Sequence, residues 1–195
     1  MLKTFLFSAI ITIVITSCEQ KKTNQSQKEP DTSGNNFFPV TQYILGQIKE
    51  LDSLPITPLK VTTVNGKADS VWIKREEITS FIQPFITSVI DSITLHNYFS
   101  EKSFLDQTIN AFTFSYDPVK SLPDSIEIRR WDIYVDPQSN KVNRIYIVKQ
   151  MNTTPMKTIQ LTWKSGYFCK ITTITENGNS DQEVKEQELI WNFND

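Results

Sequence analysis

The chain has 195 residues, with 20 Lys and Arg against 22 Asp and Glu, and a formal net charge of −2. This balance excludes a strongly basic protein and gives no indication of nucleic acid as a partner. The sequence has five glycines, two cysteines and one histidine. It contains neither a GxxxxGK[ST] nor a GxGxxG loop for phosphate. So few Cys and His exclude cysteine-built zinc sites and most histidine-rich sites, and we predict no metal and no cofactor.

The N-terminal stretch "MLKTFLFSAIITIVITSC" contains an apolar segment from about Phe5 to Ile15. A membrane-spanning helix needs about 20 apolar residues, so this segment suits a secretory signal peptide instead. Residues 15–18, Ile-Thr-Ser-Cys, resemble a bacterial lipobox, in which the cysteine is lipidated and becomes the mature N-terminus. The resemblance implies that residues 1–17 are a lipoprotein signal peptide and that Cys18 anchors the protein to a membrane. The alternative is an ordinary signal peptide, with Cys18 incidental.

A polar segment follows, and residues 18–36 contain no periodic apolar residue. This composition predicts a disordered tether, with a root-mean-square reach of roughly 20–25 Å. Residue 19 is Glu rather than Asp. By resemblance to Gram-negative lipoproteins, this favours the outer membrane, and the lack of a compact acidic cluster in the tether favours its periplasmic side. The folded part is predicted to be one domain over residues 37–195.

The first part of this domain alternates helices with one hairpin. "NNFFPVTQYILGQIKELDSLP" predicts a helix, capped by Asn35 or Asn36 and with Pro39 in its first turn. "PLKVTTVNGKADSVWIK" predicts a hairpin around Asn65-Gly66. "REEITSFIQPFITSVIDSITLHNYF" has helical periodicity, with a proline, Pro84, that is expected to kink or split the helix. "SEKSFLDQTI" is interpreted as a further short helix.

From Asn110 onward the pattern predicts strands. "AFTFSYD" alternates, and "SIEIRRWDIYVDPQSNKVNRIYIVKQ" indicates two long strands with a bulge near Arg129–Arg130. "MKTIQLTWKSGYFCKITTITE" predicts a hairpin in which Trp163 faces Cys169, because this register places apolar pairs on one face. "EVKEQELIWNF" is interpreted as a charged edge strand. The predicted fold class is α+β, with N-terminal helices on one face of a curved antiparallel meander of about five strands, in two layers.

Aromatic residues recur on the predicted strands. Trp131, Trp163 and Trp191, with Phe112 and Phe114, are candidates to line an apolar ligand cavity between helices and sheet. The interpretation as core residues is favoured, because aromatic side chains dominate protein cores.

Catalytic constellations are sparse. His96 is the only imidazole and Cys169 the only thiol besides Cys18, and our hairpin register points Cys169 toward the core, where thiols are inert. Glu76-Glu77 begins a predicted helix, where acids stabilise the helix dipole. Glu186 and Glu188 alternate with other polar residues along the last strand. We therefore predict that the protein is not an enzyme.

The runs "LPDSIEIRRWDIYVDPQSNKVNRIYIVKQ", "FLDQTINAFTFSYDP" and "IQLTWKSGYFCKITTI" resemble uncharacterised lipoproteins of Bacteroidota. That family has no assigned activity, so the resemblance implies a cell-envelope lipoprotein and supplies no site residues. The leading hypothesis is a membrane-anchored, non-enzymatic binding or assembly module that contacts an envelope protein. The alternative is a periplasmic carrier of a lipid or other apolar ligand.

Overall fold

The structure, a computed structural model, describes residues 37–90, 92–178 and 181–194, without the side chains of Ser92 and Asp181. Cys18, with the predicted signal peptide and tether, lies outside the described residues. The elements in chain order are α1 (Val40–Ser53), β1 (Leu59–Val64), β2 (Lys67–Trp72), α2 (Arg75–Ile86), α3 (Ser92–Leu95), β3 (Phe99–Asp106), β4 (Ala111–Pro118), β5 (Ile128–Val135), β6 (Val142–Met151), β7 (Met156–Lys164), β8 (Phe168–Asn177) and β9 (Asp181–Ile190).

All the strands of the described part form one antiparallel sheet with the order β2-β1-β9-β8-β7-β6-β5-β4-β3. The antiparallel sheet is thus confirmed, but it has nine strands rather than about five, and the three helices of the described residues are a minor part. Strands β3 to β9 follow one another as successive hairpins. The β1–β2 hairpin joins the free side of β9, so the outer strands of the sheet are β2 and β3.

Two sequence predictions are wrong. "SEKSFLDQTI" is not a helix, because residues Phe99–Asp106 form β3 and pair along their whole length with β4. The last strand is not an edge strand, since β9 lies between β8 and β1. Its charged residues therefore have neighbours on both sides, and Lys170 of β8 lies 3.8 Å from a carboxylate oxygen of Glu186.

Other local predictions are confirmed. The β1–β2 turn has positive φ at Asn65 and Gly66, 48° and 80°, as a two-residue hairpin turn of this type requires. The register of β5 on β6 shifts between Ile128 and Arg130, where the bulge was predicted. Trp163 pairs with Cys169 in the β7–β8 hairpin, as predicted.

The first helix begins differently from the prediction. Its N-cap residue is Pro39, which makes no side-chain capping bond, and Asn35 and Asn36 lie outside the described residues. Pro84 lies inside α2 near its end, and α3 starts six residues after α2 stops. The second predicted helix is therefore divided into two parts, and the break comes after Ile86 rather than at Pro84.

The two sheet faces differ in chemistry. One face, here called the Trp131 face, carries an apolar row across five strands in register: Tyr116, Trp131, Ile147, Leu161 and Ile171. The opposite face, here called the Asp132 face, carries a polar row across five strands in register: Ser115, Asp132, Tyr146, Thr162 and Lys170. The Trp131 face belongs to the hydrophobic core together with buried residues of α1 and α2.

Candidate functional site

A groove of about 640 Å³ is lined by residues of α2 and by residues of the Trp131 face. Phe81 of α2 and Ile159 and Ile171 of the sheet form its apolar floor. Lys60, Glu76 and further polar side chains stand around it: Glu77, Ser80, Thr173 and Gln187. Ligand sites in proteins commonly measure about 300–1,000 Å³ and combine an apolar lining with a few polar groups.

Helical and strand periodicities explain this lining. In α2 the buried residues are Ile78, Ile82 and Phe85, which recur at helical spacing, and Phe81 stands half-buried at the border of that stripe. In the sheet, Ile171 pairs directly with Gln187 of β9, so an apolar and a polar side chain meet on the groove side. The groove therefore combines apolar and polar side chains in its lining.

The charged residues of the rim have different surroundings. Glu77 accepts a hydrogen bond of 2.9 Å from the backbone N–H of Lys74 and so caps α2. Lys60 has its Nζ 5.9 Å from the centre of the Phe81 ring and, among the described residues, forms no ion pair. Glu76 likewise forms no ion pair within the described part, so one cation and one anion are available beside the groove.

A buried lysine holds the end of α2 next to this groove. Lys149 of β6 is only 3% exposed, and its Nζ donates to the carbonyl oxygen of Pro84 at 2.5 Å and to the Oγ of Ser88 at 3.1 Å. Burial lowers the pKa of Lys149 to about 8, and the nearby Glu127 carboxylate acts in the opposite direction. Lys149 was not among the candidate residues predicted from the sequence. The alternation of β6 could have indicated it, because Lys149 lies on the same face of the strand as Ile145 and Ile147 and so occupies a core-facing position.

The predicted cavity aromatics lie elsewhere. Trp131 and Trp163 are completely buried, and Trp131 stacks on Tyr116 with ring centres 4.6 Å apart and an interplanar angle of 9°. Trp191 is nearly buried and packs against Trp163. The two phenylalanines of β4 are less enclosed, with Phe114 half-buried and Phe112 exposed. None of the five predicted residues lines the groove.

The candidate catalytic residues are not brought into one site by any described contact. Cys169 is completely buried, and burial raises the pKa of its thiol well above the ordinary value. The Nδ1 of His96 lies 3.2 Å from the carbonyl oxygen of Ile93. The described residues contain no group of three or more His, Cys, Asp or Glu placed to hold a metal ion. No described helix is long and apolar enough to cross a membrane.

The edge strand β3 exposes apolar side chains on both of its faces. Phe104 and Leu105 are 50% and 46% exposed, and Ile109 and Phe112 continue this apolar surface around the β3–β4 turn. At the opposite edge, Trp72 of β2 is already partly covered by the Phe193 ring, with centres 5.9 Å apart. An edge strand presents unpaired backbone groups, so β3 combines free hydrogen-bonding capacity with apolar surface.

Comparison with protein-family models, with curated proteins and with solved structures found no match for this chain.

Proposed function

We propose that this protein is a membrane-anchored, non-enzymatic binding lipoprotein of the cell envelope, and that it binds an amphiphilic ligand in the groove beside α2. The observation that carries the proposal is the groove itself, whose volume of about 640 Å³ lies within the range of ligand sites. Of the two hypotheses drawn from the sequence, this observation favours the carrier.

The proposed anchor is the lipid on Cys18. Support comes from residues 15–18, which resemble a lipobox, and from the resemblance of the domain to lipoproteins of Bacteroidota. An acyl chain contributes about 0.8 kcal/mol per buried CH₂ group, so more than one chain makes a lasting anchor. We place the protein at the outer membrane, facing the periplasm, with residues 19–36 as the tether.

The proposed fold of the binding domain is a two-layer α+β arrangement with the helices on the Trp131 face. Two contacts between α2 and the sheet support it: Phe85 meets Trp163 edge-on with ring centres 5.5 Å apart, and Lys149 donates to Pro84. In this arrangement α2 covers only part of the face. The uncovered part is the floor of the groove, which includes Ile159 and Ile171.

A binding role without catalysis is supported by the state of the thiol. A cysteine reacts as the thiolate, and the fully buried Cys169 has a raised pKa that disfavours this form. The groove itself contains neither a thiol nor an imidazole among its lining residues.

The lining indicates which ligand the groove suits. The apolar part of the ligand would cover Phe81, Ile159 and Ile171, since removing apolar surface from water contributes about 25 cal/mol per Å². Lys60 and Glu76 offer one positive and one negative charge at the rim. This combination suits an amphiphile with a charged or zwitterionic head group, such as a single-chain phospholipid.

Titration calorimetry with lysophosphatidylethanolamine, below the concentration at which it forms micelles, tests this proposal. Ser80 is exposed on α2 and lines the groove, so Ser80→Trp places an indole in the groove without disturbing the core. Thr79→Trp is the matched control, because Thr79 is exposed on the same helix and does not line the groove. We expect Ser80→Trp to weaken binding by about tenfold or more, equivalent to 1.4 kcal/mol, and Thr79→Trp to leave it unchanged.

Two results would overturn the groove as the site. One is a wild-type protein that does not bind the lipid, and the other is equal binding by Ser80→Trp and Thr79→Trp. If the groove is correct, Lys60→Gln and Glu76→Gln show which charge of the head group is recognised.

Assembly with an envelope protein is the second candidate function, and the edge strand β3 favours it. An extended segment with alternating apolar residues would add to β3 and cover Phe104 or Leu105, depending on the face it presents. A photo-crosslinking residue at position 105 of the lipidated protein is expected to give one discrete adduct that Phe104→Lys removes. The same residue at Val71, exposed on the other edge, is the control. Equal adducts at both positions would contradict strand addition at β3.

A further inference from the structure

A small pocket of about 180 Å³ lies on the Asp132 face, away from the groove. Arg144 and Lys164 line it, and these two residues are direct partners in the register of β6 and β7. Like charges placed directly opposite each other destabilise a sheet. Both residues are also half-buried, which adds a desolvation cost to each charge.

The charges of this pair are not neutralised by the protein. Among the described residues neither Arg144 nor Lys164 takes part in an ion pair. The other cations of this face do have acidic partners: Arg130 binds Asp132 at 3.0 Å, and Lys170 lies beside Glu186. The pocket therefore collects two uncompensated positive charges on a face that otherwise balances them.

Other contacts hold the two cations at the pocket without neutralising them. The guanidinium of Arg144 lies over the Tyr134 ring, 4.3 Å from its centre, and Lys164 donates to the Oδ1 of Asn143. Tyr134 and Asn143 line the pocket too, so a phenolic hydroxyl and an amide stand beside the charges. Pre-positioned donors reduce the entropy that is lost on binding.

A further carboxylate that acts on Tyr134, that of Asp106, is hydrogen-bonded elsewhere. Burial is the main cause that raises the pKa of Tyr134. The Asp132 and Asp106 carboxylates raise this pKa further, and Arg144 lowers it. However, the Oδ1 of Asp106 accepts the backbone N–H of Thr108 at 2.9 Å. Among the described residues, Asp106 forms no ion pair with Arg144 or Lys164.

We propose that Arg144 and Lys164 form a binding site for a phosphate group. A phosphate monoester carries a charge of about −1.5 to −2 at neutral pH and three acceptor oxygens, which matches two cations with neighbouring polar groups. The fork of arginine donors binds phosphate oxygens two at a time, and lysine adds a point charge. Ile109 and Ala111 provide an apolar wall for the atoms that carry the phosphate.

The phosphate group has two possible sources, a soluble phosphate ester or a phospholipid head group at the membrane. Nitrogen-15 NMR of the full chain carrying Cys18→Ser measures the binding of soluble phosphates. The probes are inorganic phosphate and glycerol 3-phosphate, and chloride at equal ionic strength is the control. Co-sedimentation measures binding to a phospholipid head group. Vesicles of phosphatidylcholine with phosphatidic acid are compared with vesicles of phosphatidylcholine alone.

We expect at least one of these phosphate probes to bind, seen as a shift of the side-chain signals of Arg144 and Asn143 for the soluble probes or as co-sedimentation for the vesicles. Arg144→Gln and Lys164→Gln should each weaken binding by about tenfold, which corresponds to the loss of a charge-assisted hydrogen bond. Lys170→Gln is the control, because Lys170 is a cation on the same face that already has an acidic partner. The proposal is overturned if no phosphate probe binds, or if Lys170→Gln weakens binding as much as the two pocket variants.

Discussion

Lys149 and Pro84 join the centre of the sheet to the end of α2. The Nζ of Lys149 donates to the Pro84 carbonyl oxygen at 2.5 Å, and the two residues are 65 positions apart in the chain. The last carbonyl groups of a helix have no intrahelical partner, and a cation there also stabilises the negative end of the helix dipole. This bond positions the helix that forms one wall of the groove.

The buried position of Lys149 predicts a specific pH dependence. Its pKa is lowered to about 8 in the folded protein, against about 10.4 in an unfolded chain. Between these values the unfolded chain binds more protons, so the contribution of Lys149 to the free energy of unfolding increases with pH. It is fully present above the unfolded pKa and is lost as the pH falls through about 8. We expect a change of at most about 3 kcal/mol over this window.

Denaturant unfolding at a series of pH values, on the wild type and Lys149→Met, measures this change. Burial raises the pKa values of Cys169 and Tyr116, so these groups lower the stability as pH rises. Both proteins share them, and they cancel in the difference. A wild-type stability that does not rise relative to Lys149→Met between pH 8 and about 10 would contradict a buried, titrating Lys149.

Substitutions of Trp163 test whether this residue belongs to the core or contacts a ligand. Its ring is fully buried and its Nε1 has no hydrogen-bond partner among the described residues, so Trp163→Phe loses packing but no hydrogen bond. We expect Trp163→Ala to lower the free energy of unfolding by about 3–5 kcal/mol and Trp163→Phe to cost much less. Chemical denaturation measures both. The affinity of Trp163→Phe for lysophosphatidylethanolamine should equal that of the wild type. A lower affinity would indicate that the ligand binds at the aromatic cluster instead of in the groove.

Cys169 should resist modification in the folded protein. Its thiol is inaccessible and its pKa is raised by burial, so a disulfide reagent can react only after the protein opens. We expect labelling of the Cys18→Ser chain at pH 8 to be at least about a hundredfold slower without denaturant than in the unfolded state. Rapid labelling without denaturant would show that β8 opens and that Cys169 is available for chemistry.

Two glycines provide a matched pair of substitutions with opposite effects. Gly66 has φ of 80° in the β1–β2 turn, so Gly66→Ala should destabilise the protein by about 1 kcal/mol. Gly46 lies within α1, and an added Cβ would meet no atom within 4 Å. Gly46→Ala should therefore stabilise the protein by about 0.5–1 kcal/mol. Thermal unfolding of the two variants measures both effects, and a Gly66→Ala variant that is as stable as the wild type or more stable would contradict the assigned turn.

Features that are determined by residues close together in the chain could be predicted from the sequence. The turn at Asn65-Gly66 and the pairing of Trp163 with Cys169 follow from turn chemistry and alternation over a few residues, and both are confirmed. The strand β3 was predicted wrongly because Phe104 and Leu105 are adjacent apolar residues exposed on opposite faces, so no alternation marks the strand. Its pairing with β4 determines its conformation.

Local sequence patterns could not predict the position of β9 in the sheet or the presence of the groove. β9 pairs with β1, more than 100 residues earlier in the chain, and nothing in its charged sequence indicates that partner. Phe81, Ile159 and Ile171 look like core residues in the sequence, and only the placement of α2 leaves them beside open space. Lys149 was detectable as a polar residue in a core phase, although its partners were not.

Native mass spectrometry of the full chain carrying Cys18→Ser, exported through its own signal, tests the central claim most directly. Our proposal of an amphiphile in the groove predicts an adduct of several hundred daltons that disappears on denaturation and is reduced by Ser80→Trp but not by Thr79→Trp. A clean apo mass from wild-type and variant proteins alike, together with no binding of added lysophosphatidylethanolamine, would contradict it.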